Sequence, residues 1–89
     1  MDRARFEAQL AADGYTDVAV RDRAARDASA EHAHDYAVRA MVLEGEITLT
    51  IAGGARRYGP GEVFEMARSC PHAETIGAEG VRFVYGLRR

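Results

Sequence analysis

The chain has 89 residues, a formal charge of −2 and twelve cationic side chains, all arginine and scattered rather than striped. That length suits one small domain whose modest core gains from a metal or a second subunit, and that charge offers no basic field for nucleic acid. A lone cysteine excludes an internal disulfide, and no secretory segment or apolar run of about eighteen residues is evident, so the chain reads as soluble and cytoplasmic, without a membrane partner.

In chain order, Asp2 is placed to cap a helix over residues 3–13, where Phe6 and Leu10 fall on one face and Gly14 provides a left-handed stop. This helix reads as a brace or lid, dividing the chain into an N-terminal helix, 1–14, and a β domain, 15–89. From Tyr15 to Asp22, Val18 and Val20 alternate with Asp17, Ala19 and Arg21, which is the pattern of a half-buried strand. Residues 23–31 are polar and alanine-rich and read as a loop.

The longest strand is expected from His32 to Glu44. One face carries His32, His34, Tyr36, Val38, Ala40 and Val42, and the other carries Ala33, Asp35, Ala37, Arg39, Met41 and Leu43. Apolar residues on both sides call for two covers: a second sheet over the histidine face, and a subunit contact over Met41 and Leu43, hence a homodimer.

Gly45 and Glu46 read as a turn into Ile47, Leu49 and Ile51, and Gly53-Gly54 as a two-residue hairpin. A short strand from Arg56 to Tyr58 is broken by Gly59-Pro60-Gly61. Further strands follow over Val63–Ala67, His72–Ile76 and Val81–Leu87, with a loop at 68–71 and a turn at Gly77–Gly80. Many short strands with glycine turns predict an all-β sandwich or barrel carrying a short N-terminal α-helix.

The chain has three histidines. His32 and His34, one residue apart on a strand, point to the same side, which is a metal-ligand spacing, and an antiparallel fold can return His72 beside them.

These residues resemble the cupin family, a jelly-roll barrel also called a double-stranded β-helix. In the first cupin motif, Gly, five residues, His-x-His, three or four residues, Glu, six residues, Gly, this chain matches at His32, His34 and Gly45. Arg26 replaces the first Gly and Val38 the Glu. In the second, Gly, five residues, Pro-x-Gly, two residues, His, three residues, Asn, it matches at Gly61 and His72, while Ala67, Ser69 and Ile76 replace the Pro, Gly and Asn. The resemblance covers residues 25–88. It implies an RmlC-like barrel in which His32, His34 and His72 bind a divalent transition metal, Fe, Zn, Ni or Mn, inside the barrel.

Three neutral imidazoles leave coordination positions for water or a chelating small molecule, and the absent Glu leaves the ion its full charge, favouring an anionic or enolate ligand. The functional expectation is a metal-dependent enzyme, dioxygenase-like or otherwise, acting on a small oxygen-bearing metabolite. The alternatives are a non-catalytic sensor and a dimer with a purely structural metal. Tyr36, on the histidine face, is the candidate catalytic side chain. Phe64, Met66, Phe83 and Tyr85 are expected to line the barrel. Asp35 reads as a surface carboxylate, Glu65 and Glu74 as solvated strand positions with the alternative that either orients a ligand imidazole, Arg39 and Arg82 as outward arginines, and Cys70 as a small buried hydrophobe.

Overall fold

In the computed structural model, which describes all 89 residues, the Asp2 carboxylate accepts a hydrogen bond from the Arg5 backbone N–H (2.9 Å) and starts helix α1, Arg3–Ala12. This satisfies one of the N–H groups that a helix start leaves without an internal partner. Gly14, at φ 79°, carries the chain out of the helix as expected. Six strands follow: β1 Thr16–Arg23, β2 Ala28–His32, β3 Ala37–Ile51, β4 Gly54–Tyr58, β5 Val63–Met66 and β6 His72–Arg88.

The long strands β3 and β6 pair with each other in two stretches, Ala37–Gly45 against Val81–Arg88 and Ile47–Thr50 against Ala73–Ile76. The outer halves take different partners. β1 pairs with the Val81–Leu87 part of β6 and β5 with the Val38–Met41 part of β3, while β2 pairs with the start of β6 and β4 with the end of β3. Two long strands thus each serve two half-sheets, and the bend between the halves wraps the sheet around a single interior.

That bend corrects two expectations. Gly45-Glu46 and Gly77–Gly80 do not end strands; both lie within continuous ones, where residues 77–80 of β6 stand opposite the lone Glu46 of β3 as an extended bulge. A bulge turns a strand without ending it, so turn-forming residues inside a long strand look like a chain reversal in sequence. Gly45 has φ 75°, and a Cβ there would run into the Gly80 carbonyl.

The interior holds Val38, Ala40, Val42, Ile47, Leu49, Phe64, Met66, Ile76, Val81 and Phe83, with Tyr36, Tyr58, Tyr85 and Leu87 packed against them. The expected lining residues Phe64, Met66, Phe83 and Tyr85 are all there. A second cluster outside the barrel joins Phe6, Leu10 and Tyr15 to Met41 and Val84, with Leu43 partly buried beside it. The helix, rather than a second subunit, therefore covers the face of β3 that carries Met41 and Leu43, and it acts as a brace: Phe6 and Leu10 are fully buried.

Three further expectations change. The segment 23–31 read as a loop contains β2, and the strand read from His32 begins only at Ala37, because 33–36 form an irregular connection. β1 is exposed along its length except at the partly buried Arg23, and its valines lie on the outer face. Val18 and Val20 are exposed, whereas Ala19, Arg21 and Arg23 lie opposite Tyr85, Phe83 and Val81, all of the interior cluster. Directly paired residues of adjacent antiparallel strands share a face, so the arginines look inward.

Candidate metal centre

β2 ends at His32, which lies directly opposite His72, the first residue of β6. His34 reaches the same point from the connection after β2, where its carbonyl accepts a hydrogen bond from the Ser69 N–H (2.8 Å) and ties the 33–36 segment to the loop before His72. The three rings stand 4.4 to 5.2 Å apart between centroids, and one nitrogen of each lies within 4.8 Å of the others. His72 is fully buried, and His32 and His34 are partly open.

The hydrogen bonds decide which nitrogens face inward. Nδ1–H of His32 donates to the Ala30 carbonyl (2.8 Å) and Nδ1–H of His72 to the Cys70 carbonyl (3.1 Å). A carbonyl only accepts, so Nδ1 carries a proton, and in the neutral ring each Nε2 keeps a lone pair, the arrangement of a metal-ligating imidazole. The Nε2 of His72 is buried and has no hydrogen-bond partner. A buried lone pair aimed at two other imidazoles is costly in a metal-free fold and is what a cation would satisfy. The residues fit a divalent transition metal. Burial, then the neighbouring His72 and His32, hold the pKa of His34 below its usual value, against an opposing pull from Glu74, which favours the neutral ligating form.

The carboxylate expected to be solvated is here. Glu74 is buried beside the histidines, with Oε1 accepting from Nη1 of Arg23 (2.6 Å) and Oε2 lying 3.4 Å from Nε2 of His72 and 3.7 Å from Nε2 of His32. Arg23, itself buried, also donates to Asp27 and to the Ser29 hydroxyl. The period-2 pattern already put Glu74 on the face of His72, and that signal identifies it; nothing local to Arg23 marks it.

The other singled-out residues stay out of the centre. Asp35 is exposed and pairs with Arg68 (2.9 Å), Glu65 pairs on the outside with Arg39 (2.6 Å), and Arg82 pairs with Asp22 (2.7 Å). Cys70 contributes its carbonyl to His72 rather than its thiol to the cluster. Val38, where the family motif has Glu, is an apolar interior residue. Tyr36 stacks on His34, with ring centroids 5.0 Å apart and planes at 14°.

Beside the histidines lies a cavity of about 120 Å³, with His34, Glu74 and Tyr36 at its polar side, Val38, Ile47, Phe64 and Phe83 at its apolar side, and Arg21 also on its wall.

Residues 21–85 match the family model of the cupin domain. This chain belongs to the cupin family. The structure of a protein of unknown function from Rhizobium leguminosarum bv. viciae 3841 superposes with a TM-score of 0.75 at 20% identity, covering 80% of this cupin and 67% of that chain. The cupin domain of Cnp3 from Schizosaccharomyces pombe gives 0.72 at 20% identity, covering 80% and 53%. A structure from work on the DMSP lyases RdDddP and RnDddQII gives 0.73 at 18%, covering 81% and 37%. The chain thus spans between about a third and two thirds of these proteins, and identities this low establish a shared fold. No curated protein matches the sequence.

The positive-φ residues bear out the motif alignment. The motif glycines missing from the sequence stand at Arg26 and Ser69, and both residues adopt left-handed backbone, φ 61° and φ 60°. This cupin keeps the backbone shape of the two glycine positions without the residue that adopts it most easily.

Proposed function

We propose that this cupin is a metal-dependent enzyme acting on a small, anionic, oxygen-bearing metabolite, with His32, His34 and His72 holding a divalent Fe, Mn, Ni or Zn ion. The observation that carries this reading is the adjacency of the histidine cluster to a small cavity whose wall is apolar except for Arg21, Tyr36, Tyr85, His34 and Glu74. A structural metal needs no such cavity. When bound, the ion supplies Lewis acidity toward a chelating oxygen.

The chain's own residues do the rest. Arg21 receives an anionic group of the ligand by a charge-assisted hydrogen bond. Val38, Ile47, Phe64 and Phe83 exclude water from the reacting end, which strengthens every polar contact there. Tyr36, flat against His34, gives or takes a proton at its phenol oxygen. A volume of about 120 Å³ suits a small ligand, and Arg21 on the wall favours an acid. A lyase among the structural neighbours supports the enzyme reading only in showing that this fold carries catalysis.

The test begins with metal content in untagged protein purified without chelator, compared with a His32→Ala, His72→Ala double variant. Near-stoichiometric metal in the parent, lost from the variant, is expected. Calorimetry with oxalate and pyruvate then reads the cavity: binding to metal-loaded parent that weakens at least tenfold in Arg21→Gln supports the site. Turnover of a small acid establishes the enzyme, whereas binding without turnover favours a sensor. A parent that takes up no metal refutes the reading.

Self-association is a separate proposal. With Met41 and Leu43 covered by α1, the exposed large apolar residues are Met1, Val18 and Val20, two of them on β1, and we place a homodimer contact there. Sedimentation at micromolar concentration should show a dimer that Val20→Lys dissociates.

A further inference from the structure

We propose that Glu74 is a fourth, carboxylate donor to the histidine centre, replacing from the second motif's strand the Glu that the family's first motif has at position 38, and that Arg23 positions it. The inference rests on the metal reading above and adds a ligand to it.

Three observations converge. Glu74 lies two residues after His72 on β6, so both side chains enter the barrel from one strand. Its Oε2 stands 3.4 and 3.7 Å from the inward Nε2 atoms of His72 and His32. Adjacent donors on one ion lie about 2.8 to 3.1 Å apart at right angles and about 3.3 to 3.6 Å apart in a tetrahedron when each bond is about 2.0 to 2.2 Å, so the carboxylate must close toward the histidines to share a metal with them. Finally, both Nδ1 protons are committed to carbonyls, so in the neutral rings the two Nε2 lone pairs and Oε2 face one another, and a proton or a metal ion must join them. Acceptors brought together in a buried site repel unless a cation joins them.

Arg23 gives the carboxylate its orientation. It binds Oε1 at 2.6 Å and is itself held by Asp27 (3.1 Å) and the Ser29 hydroxyl (2.9 Å), which leaves Oε2 directed at the histidines. The absence of the motif Glu therefore does not leave the ion its full charge, as the sequence suggested. With four protein donors, an open position remains only on an ion that takes five or six ligands. This narrows the catalytic metal to Mn, Fe or Ni, with zinc forming a closed site.

The test is a cobalt(II) titration of the full-length chain under chelator competition, read by affinity and by visible absorption, which reports cobalt coordination. The parent is expected to bind one cobalt per chain. Glu74→Gln, which still accepts from Arg23 through its amide oxygen, is expected to bind more than about tenfold more weakly and with a changed visible spectrum. An unchanged spectrum, whatever the affinity, makes Glu74 a positioning partner of the histidines and overturns the proposal. Failure of the parent to take up cobalt overturns the metal reading itself, and the carboxylate role with it. If Glu74→Gln does not fold, the infrared difference spectrum of the unaltered protein, metal-loaded minus metal-free, decides: a shifted carboxylate band is expected, and its absence overturns the assignment.

Discussion

β1 and β3 both pair with the second half of β6, yet they use their alternation in opposite ways. On β3 the apolar series Val38, Ala40, Val42 points into the barrel, as hydrophobic patterning predicts. On β1 the valines point out and Arg21 and Arg23 point in. The difference lies in what each strand meets. Val38 and Ala40 of β3 pair with Met66 and Phe64, whereas Arg23 faces the carboxylate of Glu74 and Arg21, paired with Phe83, lines the cavity beside it. A buried carboxylate needs a partner more than the barrel needs two more valines, because an unpaired buried charge costs far more than the burial of a valine yields.

The contrast predicts an order of effects. Arg23→Ala should be the most damaging change on β1, costing about 3–5 kcal/mol in the metal-free protein by stranding Glu74, a loss that chemical denaturation measures. Added metal should recover part of it, since a cation then faces the carboxylate. Ile47→Ala, at a fully buried interior position of β3, and Leu10→Ala, under the helix, should each cost about 2–5 kcal/mol by the same measurement. Comparable losses at Arg23 and Ile47 would mean that the polar and apolar ends of the barrel are equally demanding; a negligible loss at Arg23 would show that Glu74 is solvated or protonated without it.

Smaller effects sharpen the picture. Arg26→Gly and Ser69→Gly each relieve a left-handed residue and should raise stability by up to about 1 kcal/mol, read as a higher melting temperature. Val20→Thr should change the stability of the isolated chain by less than about 0.5 kcal/mol, since Val20 is exposed on β1. At micromolar concentration, where the proposed dimer covers Val20, the loss should be larger, and a loss independent of protein concentration would argue against that contact.

Much of the site was legible before folding was considered. His32, His34 and His72 follow from type and spacing, and the lining by Phe64, Met66, Phe83 and Tyr85 follows from alternation. Glu74 was legible as a residue on the face of His72, but a lone carboxylate on a strand is ordinarily solvated, and only the opposing Arg23 explains its burial. The strand limits around 28–36 were obscured because His32 and His34 look like one strand, whereas β2 ends at the first and the second lies in a connection held by Ser69.

Local chemistry is enough to establish a capped helix, many strands and the one-residue spacing that sets His32 and His34 together. Those features depend on neighbours a few residues away, through period, capping and turn preference. Which face of β1 is inside, what covers Met41, and whether His72 and Glu74 meet the other histidines depend on partners about 30 to 70 residues distant, namely Phe6 and Leu10 for Met41, β2 for His72, Arg23 for Glu74 and β6 for β1. Alternation says which residues share a face. Only the closed barrel says which face is the interior, because the interior is defined by what the other strands bring to it.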